Sequence, residues 1–282
     1  MISKLYNEDG LNIVVKGFCP VDVLEIWKSE KLNSYRYLKG DYLVKVSEHN
    51  KTVYITDFAG SQSPGQLPRN STIVIQDNEI VYCKQNWTTT RKYYIPPQGF
   101  ERKTNFDDFF HAIDNAVALR CTDNPTITLS CGHDSGVIAA SALKQNLKFN
   151  ALSLRSIENE DVLERRSELV NGTILDGFTQ GSGHDFIVNF ISDNVVVSGL
   201  GADELYVTGD DELLAEFYAD TIDLYASRGI EHRFPLSDYS VWEEYFSLDE
   251  RIINKANKSP FIKYMETLDF PVHYGEKVSF GI

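Results

Sequence analysis

The sequence predicts an α/β protein, with a helix-covered parallel sheet in its C-terminal half and a smaller α+β region ahead of it. Three observations carry that prediction. Residues 11–90 hold closely spaced β-branched and aromatic runs, at 11–15, 42–46, 53–57, 73–75 and 80–82, which read as strands. Beyond residue 106, short apolar runs alternate with helical segments, the order that builds a parallel sheet. Between the two regions, Tyr94-Ile-Pro-Pro-Gln-Gly-Phe100 and the polar stretch to Asn105 form a Pro/Gly break that reads as a linker. The expected units are 1–95 and 106–282.

Taken in order, the N-terminal runs are interrupted by one helix, expected near 21–31, and Asp77-Asn78 suggests a hairpin turn between the last two strands. Phe106, Phe109, Phe110, Ile113, Val117 and Ala118 recur at helical spacing, so 106–120 is expected to be an amphipathic helix. Strands are expected at 126–129, 149–154 and 195–197, and a helix from about Asp134.

The 282 residues suit two cores better than one. Lys and Arg number 27 against 41 Asp and Glu, a balance of −14, which argues against a nucleic acid or an anionic membrane as partner. The expected partners are small molecules, with a homodimer left open. Met1-Ile-Ser-Lys lacks the pattern of a signal peptide, and no run approaches the ~20 apolar residues of a membrane span. Cys19, Cys83, Cys121 and Cys131 form no CxxC pair, so a cytoplasmic chain with reduced thiols is expected.

The segment with most chemistry is Thr128-Leu-Ser-Cys-Gly-His-Asp-Ser-Gly136. An apolar strand runs into a small-residue turn and then a helix, which aims backbone N–H groups and a helix N-terminus at one point and so favours an anion. Ser130 and Ser135 add hydroxyls. Asp134 would repel a bare phosphate, so it implies Mg²⁺ between carboxylate and phosphates. The plainer alternative is that Asp134 or Ser135 caps the helix. The turn is no Walker loop, since no GKS or GKT follows. His133, near Cys131, has too few companions for a metal site and reads as phosphate-proximal or exposed.

Ser130-Cys-Gly-His-Asp-Ser135 resembles the SGGxDS pyrophosphate loop of the ATP-pyrophosphatase superfamily, with Cys131 at the first Gly. Val195-Val-Val-Ser-Gly-Leu-Gly-Ala-Asp-Glu204, Gly229-Ile-Glu-His-Arg-Phe-Pro-Leu-Ser-Asp238 and Lys277-Val-Ser-Phe-Gly-Ile282 are similar to VVLSGEGADE, GLEVRVPFLD and KxGFGV of the asparagine synthetase and β-lactam synthetase family. The resemblance implies an adenine-nucleotide α-hydrolase-like domain behind an Ntn-hydrolase-like one. Its implied activity is an ATP-dependent carbon–nitrogen ligase that adenylates aspartate or a related carboxylate and then forms an amide.

By the same resemblance, Asp134 and Asp203 hold Mg²⁺, Ser130, Gly132 and Ser135 cradle the pyrophosphate, and Ser198, Gly199 and Gly201 line the facing side. Lys277 and Glu231 are the implied catalytic residues, a surface lysine and a Glu231–Arg233 salt bridge being the plainer alternatives. Leu152 and Leu154 are candidates for the adenine edge by fold analogy.

Two features depart from the family pattern. Leu200 replaces the Glu or Tyr of the SGEG segment and cannot accept a proton. The N-terminal region, with Leu38-Lys-Gly-Asp-Tyr42 and Tyr54-Ile-Thr-Asp-Phe-Ala-Gly60, is similar to a shortened glutaminase domain, yet Met1-Ile2 supplies no N-terminal cysteine nucleophile. Free ammonia, rather than glutamine, is therefore the expected nitrogen donor. Intramolecular amide closure, as in β-lactam synthetases or lasso-peptide cyclases, and a non-catalytic nucleotide-binding role are the other readings.

Overall fold

The computed structural model describes residues 3–8, 11–20, 23–28, 40–48, 51–57, 71–76, 79–85, 102–155, 159–176, 183–203, 206, 211–253 and 258–275. Six strands, β1 (Ser3–Glu8), β2 (Leu11–Phe18), β3 (Asp41–Glu48), β4 (Lys51–Thr56), β5 (Ser71–Gln76) and β6 (Glu79–Gln85), pair in sequence order as an antiparallel sheet. Helix α1 (Val23–Lys28) follows β2. The alternation expected of a half-buried sheet is plain in β3, where Tyr42, Val44 and Val46 are buried while Lys45 is exposed. The expected turn at 77–78 and the linker at 94–100 fall outside the described residues. β1 was not anticipated, because Ser-Lys-Leu-Tyr-Asn-Glu carries little apolar signal.

The second sheet is parallel, in the order β11-β10-β7-β8-β9. Its strands are β7 (Thr126–Thr128), β8 (Asn150–Leu154), β9 (Thr173–Leu175), β10 (Val195–Val197) and β11 (Glu231–Arg233). Helix α2 (Asp107–Arg120) precedes it, α3 (His133–Lys144) and α4 (Glu160–Val170) follow β7 and β8, and α5 (Gly183–Ile187) leads towards β10. α6 (Asp211–Ala226) joins β10 to β11, and α7 (Tyr239–Ser247) and α8 (Ser259–Glu266) come last. The protein is thus a mixed α/β chain with one antiparallel and one parallel sheet.

Successive side chains of a strand face opposite ways, so a sheet covered on both sides needs apolar residues throughout. In β10, Val195 and Val197 pack with Phe109, Ile113 and Phe261 from α2 and α8, while Val196 packs with Ile187, Tyr225 and Ile230 on the other side. β8 divides the same way, with Ala151 towards the first layer and Leu152 and Leu154 towards the second.

The two sheets meet at a buried ionic cluster. Arg120, the last residue of α2, is fully buried and grips Asp41 of β3 with two nitrogens, Nε at 2.9 Å and Nη2 at 3.1 Å. Its Nη1 donates to Asp238 at 2.9 Å, and Asp41 also accepts from the Phe234 amide at 3.0 Å. Arg233 lies 4.0 Å above the Phe18 ring, adding a cation–π contact where β2 packs against β11. Every charge in the cluster has a partner, which a buried charge requires.

Candidate functional site

β7 lies at the middle of the parallel sheet, with β8 on one side and β10 on the other, so the direction of winding reverses between β7 and β10. A crevice opens at the carboxyl ends of two strands where the order reverses, and ligands of open α/β sheets bind there. The two loops flanking that crevice, 129–132 and 198–201, carry the small-residue turn and the Gly-rich segment singled out in the sequence.

In the first loop the Ser135 hydroxyl accepts from the Ser130 amide at 3.0 Å and pairs with Ser130 Oγ at 2.7 Å. Ser130 Oγ also accepts from the Gly132 amide at 3.1 Å. Gly132 is the N-cap of α3, in an extended conformation, and no side chain caps the helix. The simple capping alternative for Asp134 and Ser135 therefore gives way to a loop knitted to itself. Beneath it Arg166 of α4, fully buried, donates from Nη1 to the carbonyls of Ser130 at 2.6 Å and Gly132 at 2.7 Å. Those bonds hold two loop carbonyls against the guanidinium. Gly136 makes room for this arginine, since a Cβ there would meet its guanidinium at 2.7 Å.

The second loop lies against the first. A Cβ on Gly199 would come within 2.6 Å of Asp134 Cβ and 3.0 Å of the Ser135 amide nitrogen. Gly201 has φ +84°, a left-handed conformation that glycine adopts without strain. Ser198 is buried, and its hydroxyl accepts from the Leu200 amide at 3.3 Å and is hydrogen-bonded to His232 Nε2 at 2.7 Å. Leu200 packs against the main apolar cluster, a role its side chain suits.

Asp134 and Asp203 are brought together by a residue that carried no signal in the sequence. Lys258, the N-cap of α8 with a left-handed backbone, places Nζ 2.5 Å from Asp134 Oδ1 and 2.6 Å from Asp203 Oδ1. Its side chain is 5% exposed, against 18% and 25% for the two aspartates. The only local cue was Ser259-Pro260, a helix-start signal, and that cannot tell where the preceding side chain reaches. Mg²⁺ at phosphate sites takes one or two carboxylates, with phosphate and water completing an octahedron. Asp134 and Asp203 fit that donor set.

The remaining candidates are dispersed. Glu231 is buried and its carboxylate accepts from Arg233 Nε at 2.6 Å. Leu152 and Leu154 lie on β8 facing the α5–α6 side, and the Leu152 carbonyl accepts from the Leu129 amide at 2.8 Å. Lys277 lies outside the described residues. His133 Nε2 donates to the His273 carbonyl at 2.8 Å, and burial pulls its pKa below the usual value. His184 and His232 are lowered by burial too, His184 to about 4.

No protein-family model and no curated protein matches the chain. Among solved structures, one match is a probable ornithine cyclodeaminase from Bordetella pertussis Tohama I, at 11% identity and a TM-score of 0.22. The match covers 70% of this chain and 48% of that one, so it spans about half the length of the other protein.

These findings correct the family resemblance read from the sequence. The chain is not assigned to the asparagine synthetase and β-lactam synthetase family, since no family model and no curated protein answers to the motifs. With the family go its glutaminase-like N-terminal domain and the ammonia-dependent amide-forming reaction on aspartate. The physical reason lies in the motifs. A Ser/Gly turn between a strand and a helix, with an acidic residue in the first helical turn, is what polyphosphate geometry demands of many unrelated α/β chains.

Proposed function

We propose that the crevice between β7 and β10 binds ATP as its Mg²⁺ complex, and that the protein is an ATP-dependent enzyme. The observation that carries this reading is the Asp134–Lys258–Asp203 constellation at the switch point of the parallel sheet. The amino end of α3 offers N–H groups and the positive end of its dipole to phosphate oxygens. Asp134 and Asp203 hold the metal, and Lys258 supplies a cation to phosphate. Ser130, Gly132, Ser135, Gly199 and Gly201 shape the surface around them.

The finer fold reading goes with this proposal: the parallel sheet is the core of an adenine-nucleotide-binding domain, 106–282, and the antiparallel sheet that of a smaller one, 1–95. Mg²⁺ supplies charge neutralisation of the polyphosphate when bound. The chain's own groups orient it, with Arg166 holding two loop carbonyls against its guanidinium.

Titration calorimetry with α,β-methylene-ATP tests the reading. Binding should require Mg²⁺ and weaken at least tenfold in Asp134→Asn, about 1.4 kcal/mol. Equal affinity with and without Mg²⁺, or no effect of the substitution, would overturn it.

A further inference from the structure

We propose that Lys258 is a built-in counter-ion that competes with the divalent metal for Asp134 and Asp203, so that the site admits metal and polyphosphate together rather than metal first. This inference rests on the reading of the crevice as a Mg²⁺–polyphosphate site and adds an order of events to it.

The ammonium lies 2.5 Å and 2.6 Å from one oxygen of each aspartate. A Mg²⁺ ion bound to those oxygens needs them at about 2.0–2.1 Å. The two cations cannot occupy that volume together, and like charges so close repel strongly away from bulk water. Lys258 must therefore withdraw for the metal to enter. Its side chain is 5% exposed, so withdrawal without a new partner would leave a buried, uncompensated charge. A phosphate oxygen is the partner whose charge fits.

The charge balance agrees. Two carboxylates and one ammonium leave the pocket at −1, a poor host for a bare polyphosphate. With a divalent cation added the same groups sum to +1, which attracts one. Metal and polyphosphate each create the condition the other needs, a coupling that linkage makes reciprocal.

Mn²⁺, followed by electron paramagnetic resonance, serves as the probe, with inorganic pyrophosphate as the second ligand. In the wild-type chain Mn²⁺ alone should bind weakly, and pyrophosphate should tighten it at least tenfold. Lys258→Met should tighten Mn²⁺ alone at least tenfold while weakening pyrophosphate. Lys258→Arg, which keeps the charge, should leave Mn²⁺ alone as weak as in the wild type, and it guards against a Met variant that fails to fold.

Equal Mn²⁺ affinity in the wild type and Lys258→Met, with binding lost in Asp134→Asn, would overturn the competition while leaving the metal site in place. Tightening by Lys258→Arg to the same degree as by Met would overturn it as well. No Mn²⁺ binding by any form, even with pyrophosphate, would remove the underlying reading and this inference with it.

Discussion

Replacing Gly199 by alanine puts one methyl group into the seam between the two loops of the crevice. That methyl would stand 2.6 Å from Asp134 Cβ, 2.9 Å from the Asp134 carbonyl carbon and 3.0 Å from the Ser135 nitrogen. Carbon atoms in contact prefer about 3.5–4.0 Å, so the loops must part by roughly 1 Å. Two of the three opposing atoms are backbone, which cannot turn aside as a flexible side chain would. Overpacking of this kind costs about 1–3 kcal/mol of stability.

The functional cost follows from where the shift falls. Asp134 moves relative to Asp203, and an octahedral Mg²⁺ tolerates little error in oxygen placement. Affinity for Mg²⁺·α,β-methylene-ATP should drop at least tenfold, about 1.4 kcal/mol, by calorimetry. Gly229→Ala is the control. Gly229 has φ +74° and open space around its would-be Cβ, so alanine there meets only the left-handed penalty of about 1–2 kcal/mol and leaves affinity unchanged. A Gly199→Ala protein with wild-type affinity and stability would refute the reasoning, since the loops could not then be in contact.

Two further outcomes are expected. Asp41→Ala strips Arg120 of two of its bonds in a fully buried setting and should cost about 3–5 kcal/mol in urea unfolding, whereas a loss below about 1 kcal/mol would mean the cluster does not join the sheets. The second outcome concerns pH, through the histidines His184 and His232, which face Tyr225 and Ser198. His184 is lowered to about 4 in the folded chain, so between about pH 6.5 and 4 the unfolded chain binds more protons. Stability is therefore complete above that window and falls as pH drops through it. Because part of His184 still meets solvent, its share is at most about 3 kcal/mol. The urea midpoint should fall less in His184→Gln than in the wild type, and an equal fall would exclude this histidine as the cause.

What could be read in advance follows from which forces are local. β10 was legible because a strand buried on both faces has no use for polar residues, and Val-Val-Val is such a strand. α2 was legible through its 3.6-residue period. β11 was not: Glu231-His-Arg233 is all polar, and its burial is compensated by bonds to distant residues, His232 to Ser198 and Arg233 to the Arg120 carbonyl. The same limit applies to the site. Ser130 and Gly199 sit in turns, and Asp134 in the first turn of α3, where residue types announce themselves, whereas Lys258 reaches the crevice only through the packing of α8 on α3. The motifs disclosed turn geometry correctly and ancestry wrongly, because short Ser/Gly turns between a strand and a helix recur in unrelated α/β chains.

The winding order of the parallel sheet also decides when the crevice comes into being. Its first wall follows β7, its second follows β10, and the lysine between them comes 124 positions after Asp134. A chain emerging from the ribosome thus makes the loop ahead of α3 long before it makes the lysine that balances Asp134. Until Lys258 has been synthesised and α8 has docked, the loop holds a carboxylate without its counter-ion. On the proposed reading of the crevice, half-made molecules should therefore sequester little nucleotide, and competence should arrive in a single late step of folding.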